Sequence, residues 1–132
     1  MESVIAAFDD LAERGVIKSY VIGGATALLY FSRPTFTEDI DVFIYLGSDD
    51  QLVDLSPVYH ALSSRQGIRM EGEHIYIDGF PVQLLVPYDA LSQEAFDHAV
   101  SVSLVGKQCR IFNLEYLMAI MIQLNKPKYR EA

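Results

Sequence analysis

The sequence has a single cysteine, Cys109, so no internal disulfide can staple the fold. That cysteine sits in Lys107-Gln-Cys-Arg-Ile-Phe112, which alternates as a strand does, and it reads as a small buried or half-buried hydrophobe. Long apolar runs are lacking too. Runs such as Val42–Leu46 and Met118–Ile122 fall far short of a membrane span. The opening Met1-Glu2-Ser3 has no basic segment leading into an apolar one, which speaks against a secretory signal. Together these absences predict a protein of the reducing cytoplasm with no membrane partner. Bases are scarce: 10 Lys and Arg stand against 18 Asp and Glu, for a formal charge of −8. A surface of that sign repels phosphate backbones and excludes broad DNA binding. The few bases are unevenly placed. Arg14, Lys18, Arg33, Arg65 and Arg69 precede residue 100, and Lys107, Arg110, Lys126, Lys128 and Arg130 follow it. A basic end of this kind is read first as a solvated face.

What the chain does have is apolar content. At 132 residues and 51% apolar, it can bury the core of one domain, expected to span 1–132. No repeat or low-complexity stretch interrupts it. Val4, Ile5, Phe8, Leu11 and Ala12 recur at helical spacing after Ser3, a candidate cap, and Gly15 closes that helix. Tyr20-Val-Ile22 reads as a strand ending at Gly23–Gly24, and Ala25 to Phe31 as a short helix stopped by Ser32-Arg33-Pro34. Ile40-Asp-Val-Phe-Ile-Tyr45, rich in β-branched and aromatic residues, is a second strand. A helix capped within Gly47-Ser-Asp-Asp50 is expected to run to about Ser64.

The second half reads as hairpins and helices. His74–Ile77 and Pro81–Val86 flank Asp78-Gly79, a strong turn pair. Tyr88 to His98 reads as a helix. Val100–Val105 and Gln108–Phe112 flank Gly106-Lys107, and Asn113 caps a last helix carrying Leu114, Leu117, Met118, Met121 and Leu124, with Glu115 where the helix dipole favours an acid. The expected fold class is therefore α/β (α+β), a mixed β-sheet flanked by helices.

Chemistry concentrates between residues 20 and 44. Glycine at a strand-to-helix turn lets the backbone approach a ligand, and the helix start behind it offers free N–H groups to a phosphate. On the next strand, Asp39 and Asp41 stand two residues apart and so share one face, roughly 7 Å apart at Cα. Such a pair of hard oxygen donors suits magnesium, which completes its shell with phosphate oxygens and water. Ile40, Val42 and Ile44 point the other way, into the core. Alone, each half has an ordinary explanation: a tight turn, or a solvated acidic strand end.

Taken together, Tyr20-Val-Ile-Gly-Gly-Ala-Thr-Ala-Leu-Leu-Tyr-Phe-Ser-Arg-Pro-Thr-Phe-Thr-Glu-Asp-Ile-Asp-Val-Phe-Ile44 resembles the signature of the DNA polymerase β-type nucleotidyltransferase superfamily. That signature is a hydrophobic residue, Gly-Gly or Gly-Ser, a spacer, and Asp-hydrophobic-Asp. The chain is similar in particular to the AbiEii-like branch, which includes toxins of toxin–antitoxin pairs. Arg33 and Thr37 before the acids carry that likeness, as does Asn113-Leu-Glu-Tyr-Leu continuing to Leu124-Asn-Lys-Pro-Lys128.

The resemblance implies a nucleotidyltransferase-like fold and Mg2+- (or Mn2+-) dependent transfer of a nucleoside monophosphate from a nucleoside triphosphate to a hydroxyl. It gives Asp39 and Asp41 the metals and the catalytic role. Gly23, Gly24, Arg33, Thr37, Lys126 and Lys128 would bind the nucleotide. The acceptor it implies is RNA or tRNA, a protein or a small molecule, and it brings with it an antitoxin-like protein partner. Departures are equally specific. The third metal ligand, a carboxylate in the family, falls at Gln83, whose neutral amide adds no charge and is a poor base. Met121 stands where an inward Lys is common, and Tyr129 where an Asp follows the Pro-Lys turn. The alternative reading is thus a catalytically degenerate module that binds nucleotide or a protein partner.

Other residues have plain explanations. His60, His74 and His98 are scattered, without a partner at zinc spacing. Asp78 belongs to a turn pair and Asp89 to a helix start, although Asp89 is the better substitute for the missing acid. Tyr20, Phe43 and Tyr45 are expected to fill core.

Overall fold

The structure, a computed structural model, describes residues 2–23, 39–47, 54–72, 74–104 and 106–124. The first helix, α1 (Glu2–Glu13), begins one residue before the expected cap and buries Val4, Ile5, Ala7, Phe8 and Leu11 along one side. That is the helical spacing read from the sequence, and each large side chain so buried contributes about 1.5–3 kcal/mol. The chain then forms β1 (Ser19–Gly23) and β2 (Ile40–Tyr45). The helix expected over Ala25 to Phe31 lies outside the described residues.

The helix expected after Gly47–Asp50 is described as α2 (Ser56–Ser63). It is entered through Leu55 with no side-chain cap and has proline in its first turn. That correction has a local cause, because Pro57 needs no N–H bond at a helix start. The next strand, β3 (Ile68–Glu71), was not expected from the sequence. It pairs with β4 (His74–Ile77), which pairs in turn with β5 (Phe80–Leu85). Asp78 and Gly79 both take positive φ, 48° and 84°, the backbone that a tight two-residue hairpin demands.

The helix α3 (Ala90–Asp97) is capped by Asp89, whose side chain accepts from Ser92 N at 2.8 Å while the Ser92 hydroxyl accepts in return from Asp89 N. A second hairpin, β6 (Val100–Leu104) and β7 (Lys107–Ile111), leads to α4 (Leu114–Leu124). Asn113 receives Glu115 N on its side-chain oxygen at 2.8 Å, as expected of a cap.

The seven described strands make one mixed sheet in the order β3-β4-β5-β2-β1-β7-β6. β1 runs antiparallel to β2 and parallel to β7, and β2 runs parallel to β5. Register and alternation sort the side chains onto two faces. Tyr20, Ile22, Ile40, Val42, Ile44, Val82 and Cys109 share one face, and α1 covers it: the Phe8 and Tyr20 rings lie 5.6 Å apart, and the Tyr20 hydroxyl donates to Asp9 at 2.7 Å. Burial pushes the Tyr20 hydroxyl far above its usual range, with Asp9 adding to the shift, and raises the Cys109 thiol to about 11. Neither titrates near neutrality, so Cys109 is the inert hydrophobe its sequence context suggests.

Gly23, Asp41, Phe43, Tyr45, Gln83 and Arg110 share the other face. There α3 packs against Tyr45 through Phe96, ring centres 6.3 Å apart, and Arg110 donates to the Phe96 carbonyl at 2.8 Å. Among the described residues no helix is long and apolar enough to cross a membrane. The expected mixed sheet flanked by helices is what the chain forms.

Candidate functional site

The sequence places two aspartates at the start of one strand, and the sheet decides what stands beside them. In register, Asp41 lies between Gly23 on β1 and Gln83 on β5. Asp39, just before β2, shares its face. Both aspartates are half-buried. Among the described residues neither forms a hydrogen bond or salt bridge. Burial, and then the charge of Asp39, push the Asp41 carboxyl up from 3.8 to about 6.

Two adjacent half-buried carboxylates with no described donor are an unfavourable arrangement unless a cation shares them. The donor set therefore fits a hard divalent ion bound through two carboxylates, with Gln83 in register beside Asp41. It stops there. Among the described residues no group of three or more His, Cys, Asp or Glu side chains converges as a metal site.

The substitutes considered for the missing carboxylate are engaged elsewhere. Asp89 accepts from Ser92 N and, at 2.8 Å, from the Gln123 amide, and these bonds hold its carboxyl below the usual range. Asp78 sits in the β4–β5 turn, where its N–H donates to the Gly67 carbonyl at 2.8 Å. His74 and Tyr76 lie on the same face as Gln83, one strand further out, with the Arg69 guanidinium 4.3 Å from the Tyr76 ring centre.

Gly23 has a reason of its own. It is absent from the positive-φ glycines, so conformational freedom is not what selects it. A Cβ there would lie 2.9 Å from the Phe43 ring and 3.0 Å from that of Phe112. Those rings pack with centres 4.8 Å apart, and both are buried. The space that the sequence reading left for an approaching ligand is occupied at Gly23 by two aromatic rings. That packing gave no signal in the sequence, because Phe112 is far from Gly23 along the chain and reaches it only through the β1–β7 pairing, where Phe112 N donates to the Ile22 carbonyl at 3.0 Å. The structure thus brings together Gly23, Asp39, Asp41 and Gln83. Gly24, Arg33, Thr37, Lys126 and Lys128 lie outside the described residues.

Comparison with known proteins agrees with this fold. The sequence model of the family "Nucleotidyl transferase of unknown function (DUF2204)" matches residues 1–75, more than half of the 132-residue chain, and the chain belongs to that family. Two solved structures share its fold. One is a Thermotoga maritima protein whose name marks it as a candidate nucleotidyltransferase, at 16% identity and a TM-score of 0.61, covering 97% of this chain and 86% of that one. The other is an antigenic nucleotidyltransferase-like protein from Paracoccidioides brasiliensis, at 14% identity and a TM-score of 0.64, covering 98% of this chain and 68% of that one. No curated protein matches the sequence.

Proposed function

We propose that the protein is a metal-dependent nucleotidyltransferase that moves a nucleoside monophosphate from a nucleoside triphosphate to a hydroxyl, releasing pyrophosphate. The observation that carries this is the register of Gly23, Asp41 and Gln83 across β1, β2 and β5, with Asp39 on the same face. It sets two carboxylates that have no donor among the described residues beside the end of a strand that leads into Gly24. Asp39 and Asp41 would hold Mg2+ (or Mn2+), which when bound supplies charge neutralisation at the phosphates and a more acidic acceptor hydroxyl. The chain's own share is positioning. Asp39 and Asp41 would fix where the charge sits, and Gln83, in register beside Asp41, would offer an amide oxygen on the acceptor side. Gly23 and Gly24 lead the backbone toward the phosphates, with Arg33, Thr37, Lys126 and Lys128 as the nucleotide's further contacts.

Kinship to the AbiEii-like, toxin-type branch belongs to the same proposal. It rests on Arg33, Thr37 and the Asn113–Lys128 segment, and it implies an antitoxin-like partner and a cytoplasmic setting. A second reading, a degenerate module that binds nucleotide without turnover, is favoured by one observation: the residue in register with Asp41 is the amide Gln83 rather than a carboxylate.

Calorimetry of the four nucleoside triphosphates in magnesium, on wild type and Asp39→Ala/Asp41→Ala, tests the site. Saturable binding that the double variant abolishes is expected. A folded wild-type protein that binds none of them would sink both readings. Pyrophosphate release then separates transfer from binding alone.

A further inference from the structure

The last helix, α4, is apolar almost all round: from Leu114 to Leu124 only Glu115 carries a charge, and Gln123 is the one amide. A helix of that composition is ordinarily covered on every side. Here one side is covered. Leu117 is buried in the core, the Tyr116 hydroxyl donates to Glu94 at 3.3 Å, and the Gln123 amide donates to Asp89 at 2.8 Å, which turns this side toward α3. Leu114, Met118 and Ile122 follow one another at four-residue spacing and form a single stripe on another side. They are 38%, 54% and 66% exposed, with the exposed Met121 at their flank. Of the seven exposed large apolar side chains among the described residues, these four share one helix. Apolar exposure is therefore concentrated here and not scattered.

Area and charge choose the occupant. The four side chains present about 400 Å² of apolar surface, a patch of the size that marks an interaction site. Interfaces are about 60% apolar, so two such patches face to face correspond to about 1,300 Å² in all, the lower end of what a specific pair buries. The stripe is also complementary to itself. When two copies of α4 cross antiparallel about a twofold axis at Met118, Leu114 of one meets Ile122 of the other, and the helix dipoles oppose. The two Glu115 carboxylates then fall on opposite sides of the axis, about 9 Å apart along it. A parallel pair would set them side by side. The charge of −8 on each copy works against pairing over the rest of the surface, and salt screens it.

We propose that α4 is a homodimer interface, in which a second copy of this chain packs its own Leu114, Met118 and Ile122 against the same stripe, antiparallel about Met118. Pairing of this kind does not depend on the transfer reading above. An interface of that size between like-charged copies is a weak one, dissociating at about 1–100 μM.

Sedimentation velocity of the full chain from about 1 to 500 μM reads the pairing. A monomer–dimer transition within that range is expected, and it should tighten several-fold between about 0.05 and 0.5 M salt as the like charges are screened. Met118→Glu acts twice in a twofold pair and should weaken association about a hundredfold, the loss equivalent to two buried apolar side chains. Ile122→Gln, at the most exposed position of the stripe, should weaken it about tenfold or more and is the milder change for folding. Phe80→Glu, at an exposed apolar residue opening β5, should leave association unchanged. With Met118→Cys, a short thiol-reactive crosslinker should join two copies, whereas wild type, whose Cys109 is buried, and the exposed-site variant Glu13→Cys should stay single. A wild-type chain that stays monomeric throughout overturns the proposal and leaves the stripe to a different protein. Pairing that weakens with salt, pairing unchanged in folded Met118→Glu and Ile122→Gln, or crosslinking of Glu13→Cys equal to that of Met118→Cys overturns it as well.

Discussion

Asp41 carries a charge that the fold itself disfavours, and that has a measurable consequence. Its carboxyl rises from 3.8 to about 6 in the folded chain, through burial first and the Asp39 charge second. The unfolded chain therefore releases this proton at lower pH than the folded one. Stability should fall as pH rises from about 4 to about 6, and the penalty should stay constant above that window and vanish below it. A rise of about two pH units corresponds to at most about 3 kcal/mol. Asp41 keeps part of its solvent, and screening reduces the expected penalty to about 1–2 kcal/mol.

Asp41→Asn keeps the shape and removes the charge. For a chain of this length it should raise the melting temperature at pH 8 by about 3–7 °C and leave it nearly unchanged at pH 4. Circular dichroism melts of both proteins at the two pH values, in chelator, make the measurement. An unchanged or lower melting temperature for Asp41→Asn at pH 8 would refute the reasoning. In the proposed enzyme the same substitution should remove magnesium-dependent triphosphate binding, so stability and binding move in opposite directions. That opposition is the usual mark of a residue kept for function.

Two further substitutions probe the neighbours of Asp41. Gly23→Ala should cost about 1–3 kcal/mol through overpacking against Phe43 and Phe112, read as a lower urea midpoint with unchanged slope; a neutral result would mean that the two rings yield freely. Gln83→Asp should lower the melting temperature in chelator, because it sets a third carboxylate beside Asp41, and should tighten magnesium binding and raise pyrophosphate release. A variant that gains neither affinity nor turnover would show that Gln83 does not face the bound ion.

The sheet strands and α1 were legible because their cause is local. Ile40–Tyr45 is rich in β-branched and aromatic residues, Asp78-Gly79 dictates a tight hairpin, and Val4, Ile5, Phe8 and Leu11 mark one face of a helix. β3 was not legible: Ile68-Arg-Met-Glu71 is short and mostly exposed, and it becomes a strand only because β4 presents an edge to it. The α2 start was misplaced for a similar reason, since the polar residues of Gly47–Asp50 look like caps while Pro57 sets the helix start further on. Of the site, the shared face of Asp39 and Asp41 follows from strand alternation alone. The position of Gln83 opposite Asp41 was anticipated from the family resemblance, and the parallel β2–β5 register gives it a physical basis. The role of Gly23 could not be read. Its partners are rings from β2 and from the residue after β7, brought together by tertiary pairing that leaves no mark on the local pattern.

Gln83 is where the two functional readings part. A carboxylate opposite Asp41 would add a negative oxygen ligand, and with it the capacity to hold a hydroxyl-activating metal. An amide adds only a neutral oxygen. If the chain transfers nucleotides, the acidity lost at Gln83 must be made up by the acceptor, because among the described residues Asp39 is the one carboxylate shown beside Asp41. A phenol makes up much of it, since its hydroxyl, with a pKa near 10, ionises far more readily than an aliphatic one. Gln83→Asp should therefore raise transfer to weakly acidic aliphatic hydroxyls more than to phenols, and a variant that raises both equally would break that reasoning.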